Sequence, residues 1–258
     1  MVCPLAGHDW LTLYAYPRSA FWLESQTTEL ARSNAELAQF AYIASHDLQE
    51  PLRMINSYLQ LIERRYKGQL DKEADEFISF ALDGSARMQQ LIRDLLAYSR
   101  LGTRNQPAEP VDCQVILCQA LDNLQMAIYE SGAVVTAEVL PTLLVDPTYM
   151  GQLLQNLVAN AIKFRSNRPP HIQIAVTYQP QPKEWLFSIA DNGIGIEPDS
   201  FERIFLIFQR LHTRSEYPGT GIGLAICKKI VDRHGGRVWL ESTLGQGTTF
   251  YFTIPDRS

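Results

Sequence analysis

Apolar positions recur alternately four and three residues apart along two stretches of the chain, at 23–44 and 77–95. That spacing is typical of a helix that buries one face. We predict that the first helix continues to about residue 66 and that Tyr66-Lys67-Gly68-Gln69 forms the turn into the second. Two long amphipathic helices with a short connection make an antiparallel hairpin.

The apolar stripe of this hairpin requires a partner. A hairpin with one wide stripe cannot bury it alone, so we expect a homodimer in which two hairpins form a four-helix bundle. The first stretch also has the spacing of a coiled-coil seam, in which polar Thr27 and Asn34 fix the register at a cost in stability. Two interpretations stay open for it: a two-stranded lead-in to the dimer, or one helix packed on its own domain.

The pattern changes after Leu101-Gly102-Thr103-Arg104-Asn105-Gln106-Pro107, which has the composition of a domain linker. Alternation and β-branched enrichment then predict strands at 134–139, 171–178, 185–190, 237–241 and 248–254. Helices are predicted at 113–129, 147–164 and 221–234, the second with Asp146 as N-cap and Pro147 in its first turn. The predicted class is α+β, with a dimeric helical hairpin followed by an α/β sandwich.

Composition and charge exclude several classes of function. The net charge is −5 and the pI about 5.6, so nothing draws the chain to nucleic acid or to an anionic membrane. The four cysteines include no Cys-x-x-Cys pair, and no apolar run approaches the roughly 20 residues that span a bilayer. We expect a cytoplasmic protein without a membrane span. The expected division is 1–23 unassigned, 24–104 helical and 105–258 mixed α/β.

Two amides and an ammonium lie on one face of the predicted helix at 147–164. Asn156 and Asn160 are four residues apart and Lys163 follows three later, so the three side chains stack along the helix. Such a face can hold a hydrated Mg²⁺ and a phosphate, because magnesium needs only one or two protein oxygens. A polar stripe that faces solvent remains the alternative interpretation.

Asp191-Asn192-Gly193-Ile194-Gly195 directly follows a predicted strand. A carboxylate at the end of a strand can accept the exocyclic amino group of adenine, a bond worth roughly 1.5–3 kcal/mol. Gly193 and Gly195 permit close approach of the backbone to a ligand. The alternative is an ordinary turn that ends the strand, since Asp-Asn-Gly is good turn chemistry.

A second glycine-rich segment, Gly219-Thr220-Gly221-Ile222-Gly223-Leu224, opens a predicted helix, and bare amides at a helix N-terminus bind anions. Thr248 follows a further glycine turn, which is either a ligand contact or a plain hairpin. The residues between the two glycine motifs, 196–218, form a long connection of the kind that often serves as a lid, and we call it the lid segment. Its Arg210 and Arg214 either reach a γ-phosphate or are solvated charges.

Upstream of these motifs, the predicted first helix carries His46-Asp47-Leu48-Gln49-Glu50-Pro51. Alone, a histidine on a helix means little. With a phosphate-binding pocket later in the same chain, it indicates a phosphate acceptor beside its donor, and hence transfer from ATP to histidine.

At these residues the chain resembles the sensor histidine kinases of two-component signalling, and most closely the phytochrome-type kinases. The resemblance covers roughly residues 24–258. The family's acceptor motif matches 46–51, its asparagine motif 156–164, its first glycine motif 191–195, its phenylalanine motif 205–208 and its second glycine motif 219–223. It implies a dimerisation and phosphotransfer hairpin joined to an ATP-binding sandwich, a response regulator receiver domain as partner, and an upstream sensory domain or protein.

The resemblance also implies roles for the matching residues. Asn156 would hold Mg²⁺, Asp191 the adenine, and Asn160 and Lys163 the phosphates of ATP. The full set of predicted nucleotide contacts is Asn156, Asn160, Lys163, Asp191, Gly193, Gly195, Phe208, Arg210, Gly219, Thr220, Gly221, Gly223, Leu224 and Thr248.

The proton of the acceptor histidine has two candidate acceptors. A neutral imidazole attacks through one nitrogen while the proton on the other is held or removed. The resemblance assigns this general-base role to Asp47, whereas helix geometry favours Glu50, which lies one turn from His46. Many relatives carry Thr or Asn where this chain has Glu50, so the sequence leaves phosphatase activity open.

Three rival classes share the predicted pocket. A plain ATPase or ATP-driven clamp with the same type of pocket typically carries a glutamate that activates water at the position of Asn156, and an amide cannot accept a proton. A non-catalytic dimerisation adaptor would not need complete motifs, and a serine kinase would not need the His46 hairpin.

Overall fold

The computed structural model describes residues 43, 45, 47–101, 108–213 and 216–257. His46, Arg214, the coiled-coil seam before residue 43 and residues 1–23 lie outside the described residues. The first helix, α1, is seen over residues 47–66, and a turn at 67–70 leads into α2, Lys72–Arg100. Asp71 caps α2 by accepting a hydrogen bond from the Ala74 N–H at 2.8 Å. The predicted hairpin and its turn are confirmed.

The hairpin exposes large apolar side chains on both helices. Phe77 and Phe80 of α2 are 62% and 69% exposed, and Tyr58 of α1 is 60% exposed. Patches of this kind on a protein surface mark interaction sites. The single chain therefore leaves uncovered the stripe that the sequence pattern assigned to a partner.

The second part of the chain contains a five-stranded sheet and a small two-stranded one. Its elements are β1 Glu109–Asp112, α3 Cys113–Asn123, α4 Gln125–Ser131, β2 Val134–Ala137, β3 Thr142–Val145, α5 Pro147–Lys163, β4 His171–Pro180, β5 Lys183–Asp191, α6 Gly223–His234, β6 Val238–Thr243 and β7 Gly247–Pro255. The large sheet has the order β2-β4-β5-β7-β6, with β2 parallel to β4 and the other pairs antiparallel. β1 and β3 form the small antiparallel sheet.

Helices α3, α5 and α6 pack together over the large sheet and enclose the core. Phe187 of β5 and Phe252 of β7 are fully buried and stack with ring centroids 4.7 Å apart. Leu153 and Leu157 of α5 are also fully buried, which fixes the opposite, polar face of that helix toward the edge of the core. The predicted α/β sandwich is confirmed.

The structure differs from the predicted elements in three places. The helix predicted at 113–129 is divided into α3 and α4, because Leu124 has φ −100° and ψ 4° and its N–H bonds to Leu121 three residues back. Strands β1 and β3, which pair with each other in the small sheet, were not predicted. Helix α6 begins at Gly223 rather than at residue 221.

The end of α2 lies against α6 of the second part. Lys229 donates a hydrogen bond to the Tyr98 carbonyl at 2.9 Å, and Arg233 donates one to the Leu101 carbonyl at 2.9 Å. Leu101 itself is only 2% exposed. Within the described residues, no helix combines the length and apolar composition that crossing a bilayer requires.

Candidate nucleotide-binding site

A cavity of about 370 Å³ lies between α5, α6, the end of β5 and the lid segment, and we call it the main cavity. Its volume falls in the range of small-molecule sites. Twelve of the fourteen predicted contacts line it: Asn156, Asn160, Lys163, Asp191, Gly195, Arg210, Gly219, Thr220, Gly221, Gly223, Leu224 and Thr248. Motifs that are far apart in the sequence therefore meet at one site.

The two remaining predicted contacts, Gly193 and Phe208, do not line the main cavity. Phe208 is 58% exposed, and its N–H bonds to the Gly221 carbonyl at 3.0 Å, which ties the lid segment to the second glycine motif. Gly193 instead packs against the backbone of Phe164, where a Cβ would lie 2.4 Å from the Phe164 carbonyl oxygen. Only glycine allows this close approach of two backbones.

The polar face of α5 supplies Asn156, Asn160 and Lys163 to the main cavity. Burial and, to a smaller extent, the positive charge of the neighbouring Arg210 together lower the pKa of Lys163 to about 8. A phosphate bound beside this half-buried ammonium would favour its charged form and raise the pKa again. Asn156 donates a hydrogen bond to the Gly223 carbonyl at 3.4 Å, which links α5 to the start of α6.

Asp191 ends β5 and presents a half-buried carboxylate. Its Oδ1 accepts hydrogen bonds from the N–H groups of Gly193 at 2.8 Å and Thr248 at 3.2 Å. Burial raises the pKa of Asp191, and these two backbone donors act in the opposite direction. The carboxylate is thus held in one orientation by the turn that follows it, which confirms the turn and also places the group in the cavity wall.

The second glycine motif, residues 219–223, is called the glycine loop below. It runs into α6, whose N-cap residue Ile222 makes no side-chain cap hydrogen bond. Gly221 has φ +76°, and a Cβ there would lie 2.8 Å from the Gln209 carbonyl oxygen. The loop therefore presents the uncapped first turn of a helix to the main cavity, and this arrangement binds anions.

Arg210 organises the lid segment. Its guanidinium donates to the carbonyls of Gly219 at 2.7 Å and Tyr217 at 2.7 Å, with a longer bond to Thr213. This is neither of the two roles considered from the sequence, because the group is held by backbone carbonyls. Arg210 nevertheless lines the cavity and adds its positive charge there.

Several lining residues were not among the predicted contacts. Phe164, His212 and Tyr217 form an aromatic cluster with ring centroids 5.1–6.0 Å apart. The position of Phe164 directly after Lys163 was a signal that could have identified it. Gln90 and Asp94 of α2 also line the cavity. No local signal pointed to them, since they reach it only because α2 packs on α6.

The metal expectation can be tested against the donor set. No group of three His, Cys, Asp or Glu side chains that could hold a metal occurs among the residues that the structure describes. Magnesium does not need one, because it retains waters and binds substrate phosphates through one or two protein oxygens. The amide of Asn156 donates through its nitrogen and keeps its oxygen for such a role, so the residues present fit Mg²⁺ bound together with a nucleotide.

The acceptor motif is only partly visible. Asp47 and Glu50 lie on α1, and both are exposed. Neither lines the main cavity. Because His46 is not described, its distance to either carboxylate stays untested.

Two family models match the chain. The "His Kinase A (phospho-acceptor) domain" matches residues 36–104, and the "Histidine kinase-, DNA gyrase B-, and HSP90-like ATPase" matches residues 145–258. The chain belongs to the sensor histidine kinases. Position 46 falls in the phospho-acceptor match, and all fourteen predicted nucleotide contacts fall in the ATPase match.

This histidine kinase module has phytochrome relatives. It is 55% identical over 238 residues to Cyanobacterial phytochrome A of Nostoc sp., covering 92% of this chain and 31% of that protein. It is 50% identical to Phytochrome-like protein Cph1 of Synechocystis sp., covering 92% and 32%. The chain thus spans about a third of the length of these relatives.

A solved structure supports the same architecture. The full-length structure of ShkA, in complex with AMPPNP, matches with a TM-score of 0.67 and 28% identity, covering 84% of this chain and 45% of that one. The mycobacterial sensor histidine kinase MprB matches over 58% of this chain and 98% of its own, with a TM-score of 0.51 and 27% identity.

Proposed function

We propose that the chain phosphorylates itself on His46 from ATP and then passes the phosphoryl group to an aspartate of a response regulator receiver domain. One observation carries the proposal: a single cavity is lined by residues of the asparagine motif and both glycine motifs, in a chain with a phospho-acceptor domain. The membership of the family supports ATP as donor.

In the proposed site, each wall binds a different part of the nucleotide. Asp191 accepts the amino group of adenine, Asn160 and Lys163 bind phosphate oxygens, and the amides of the glycine loop complete the anion site. Asn156 supplies an oxygen to Mg²⁺, which neutralises phosphate charge when it is bound. Arg210 holds its part of the lid segment beside the glycine loop through hydrogen bonds to the Gly219 and Tyr217 carbonyls.

The proposed transfer balances as follows. One ring nitrogen of His46 forms a bond to the γ-phosphorus while the bond from phosphorus to the oxygen of ADP breaks. The proton leaves from the other ring nitrogen to a carboxylate, Asp47 by family resemblance or Glu50 by helix geometry. Glu50 stands where many relatives carry Thr or Asn, so the proposed activity is that of a kinase, and phosphatase activity is not part of the proposal.

The assembly and its context are also proposals. The exposed apolar stripe of α1 and α2 supports a homodimer through a four-helix bundle. Residues 24–104 would be the dimerisation and phosphotransfer domain, 105–258 the ATP-binding domain, and 1–23 remain unassigned. The longer relatives support an upstream sensory domain or protein, and the need for ATP supports a cytoplasmic location.

The kinase assignment is tested with γ-labelled ATP and Mg²⁺. The wild-type chain should acquire an acid-labile, alkali-stable phosphoryl label, and the His46→Gln variant should acquire none. Circular dichroism should show that this variant is folded. A label that persists in His46→Gln would remove the assignment.

The adenine role is tested separately by Asp191→Asn. The asparagine side chain can place an N–H group toward the adenine amino group, which is itself a donor, so the hydrogen bond is lost. ATP affinity should therefore fall by roughly 10- to 100-fold, as expected for loss of a hydrogen bond to a charged group. Calorimetry measures the change, and Asp199→Asn, an exposed carboxylate outside the main cavity, is the matched control. Unchanged affinity in Asp191→Asn would contradict the role.

A further inference from the structure

The hairpin contributes a negatively charged wall to the main cavity. Asp94 of α2 accepts a hydrogen bond through Oδ2 from the Thr220 hydroxyl of the glycine loop, at 2.5 Å. Its Oδ1 accepts from the Gln90 amide at 2.7 Å, and Arg93 in turn donates to the Gln90 oxygen at 2.8 Å. Both carboxylate oxygens of Asp94 are therefore engaged, and the group is held at the loop.

The contact belongs to a larger docking face. Asp94, Tyr98 and Leu101 are spaced four and three apart, so they lie on one side of α2. Lys229 of α6 bonds to the Tyr98 carbonyl and lies 4.2 Å from its ring centroid, while Arg233 bonds to the Leu101 carbonyl. Cations at the C-terminus of a helix are favourable, so this face stabilises the packing of the ATP-binding domain on α2.

Docking on α2 places the carboxylate of Asp94 beside the glycine loop, where a nucleotide phosphate would need positive charge and free hydrogen-bond donors. The glycine loop is the anion-binding element of the cavity, and a carboxylate already contacts it. The Thr220 hydroxyl has one proton to donate, and it donates that proton to Asp94, not to a phosphate. Each additional phosphate charge near Asp94 adds repulsion between like charges.

We propose that Asp94 is a specificity-determining residue of the nucleotide site, which disfavours ATP relative to less charged nucleotides while the ATP-binding domain is docked on α2. Because coupling between two binding events is reciprocal, ATP weakens the docking by the same factor that docking weakens ATP binding. ATP thereby favours release of the domain from α2, and nucleotides with fewer phosphates permit its return.

The proposal is tested by calorimetry on the full chain with ATP, ADP and AMP in the presence of Mg²⁺. Asp94→Asn keeps the shape and an acceptor oxygen but removes the charge. It should tighten ATP binding by about ten-fold, within the usual range of such couplings, tighten ADP binding less, and change AMP binding by less than about two-fold. Asp83→Asn is the control, because it removes an exposed charge from the same helix about 16 Å away.

A second variant tests the dependence on docking. Lys229→Met with Arg233→Met removes the two cations that hold α2, so it should tighten ATP binding, and adding Asp94→Asn should then have little further effect. ATP affinity that is unchanged or weaker in Asp94→Asn overturns the proposal, the weaker case indicating that Asp94 helps to bind magnesium-nucleotide. These measurements do not involve His46: loss of the kinase assignment would leave them valid, whereas a wild-type chain without ATP binding overturns both.

Discussion

Lys163 is the residue whose ionisation bears most directly on nucleotide binding. Burial and the adjacent Arg210 lower its pKa to about 8, so in the free protein the ammonium loses its proton within the accessible pH range. A bound phosphate favours the charged form and raises the pKa again. Binding of ATP is therefore linked to uptake of a proton once the pH rises above about 8.

This linkage predicts a pH-dependent affinity. The affinity of the wild-type chain for ATP should change little between pH 7 and pH 8. Above pH 8 it should fall by up to about ten-fold for each pH unit, because Lys163 must take up one proton when ATP binds. Lys163→Arg should flatten the profile, since guanidinium stays charged throughout this range. Calorimetry at four pH values measures both profiles. Parallel profiles for wild type and variant would show that Lys163 does not contact phosphate.

At the scale of elements, the hairpin is the part that a single chain leaves incomplete. Phe77 and Met88 belong to the predicted stripe of α2 and are 62% and 49% exposed. Burying such side chains between two copies removes a large apolar area from water, and each large side chain contributes roughly 1.5–3 kcal/mol.

A charge on this stripe should therefore weaken the dimer. Phe77→Asp is expected to shift the chain toward monomer at micromolar concentration, as measured by sedimentation velocity or by light scattering after gel filtration. Ser79→Asp adds the same charge to an exposed position two residues on, which lies nearly opposite on the helix, and should leave the assembly unchanged. Equal behaviour of both variants would argue against a bundle through this stripe.

How well each element could be predicted follows from its length and from where its contacts lie. α5 has strong periodicity and its capping residue within its own sequence, so its bounds were predicted to within one residue, and the periodic stretch at 77–95 lies within α2. The division of α3 from α4 depends on one residue, Leu124, whose backbone leaves the helix although its side chain continues the pattern. β1 and β3 exist through pairing with each other, which local sequence does not show.

The residues of the main cavity likewise divide into those that local sequence identifies and those that only tertiary packing brings there. Asp191 and the glycine loop carry their signal in consecutive residues, and twelve of the fourteen predicted contacts line the main cavity. Asp94 could not be predicted, because nothing in its helix marks it. It becomes part of the cavity only through packing between two domains.

At the scale of the whole molecule, the packing of α6 on α2 stabilises the C-terminal end of α2. The last carbonyls of a helix lack partners within it, and here those of Tyr98 and Leu101 are bonded by Lys229 and Arg233. The final turn of α2 should therefore be less stable when these cations are absent.

Hydrogen exchange measures this dependence directly. In the variant that carries Lys229→Met and Arg233→Met, backbone amides of residues 98–101 should exchange several-fold faster than in the wild type, because local opening becomes easier. Amides near the start of α2, far from α6, serve as the internal control. Unchanged protection at 98–101 would show that the helix ends independently of docking.

The same end of α2 sets the reach of the ATP-binding domain. A residue advances about 1.5 Å along a helix and up to about 3.3 Å in an extended chain. If the hydrogen bonds from Lys229 and Arg233 break and the last four residues of α2 unwind, the segment that connects the two domains lengthens by about 7 Å. Once released from α2, the ATP-binding domain would therefore be connected by a longer flexible segment, and could move farther, than the docked arrangement suggests.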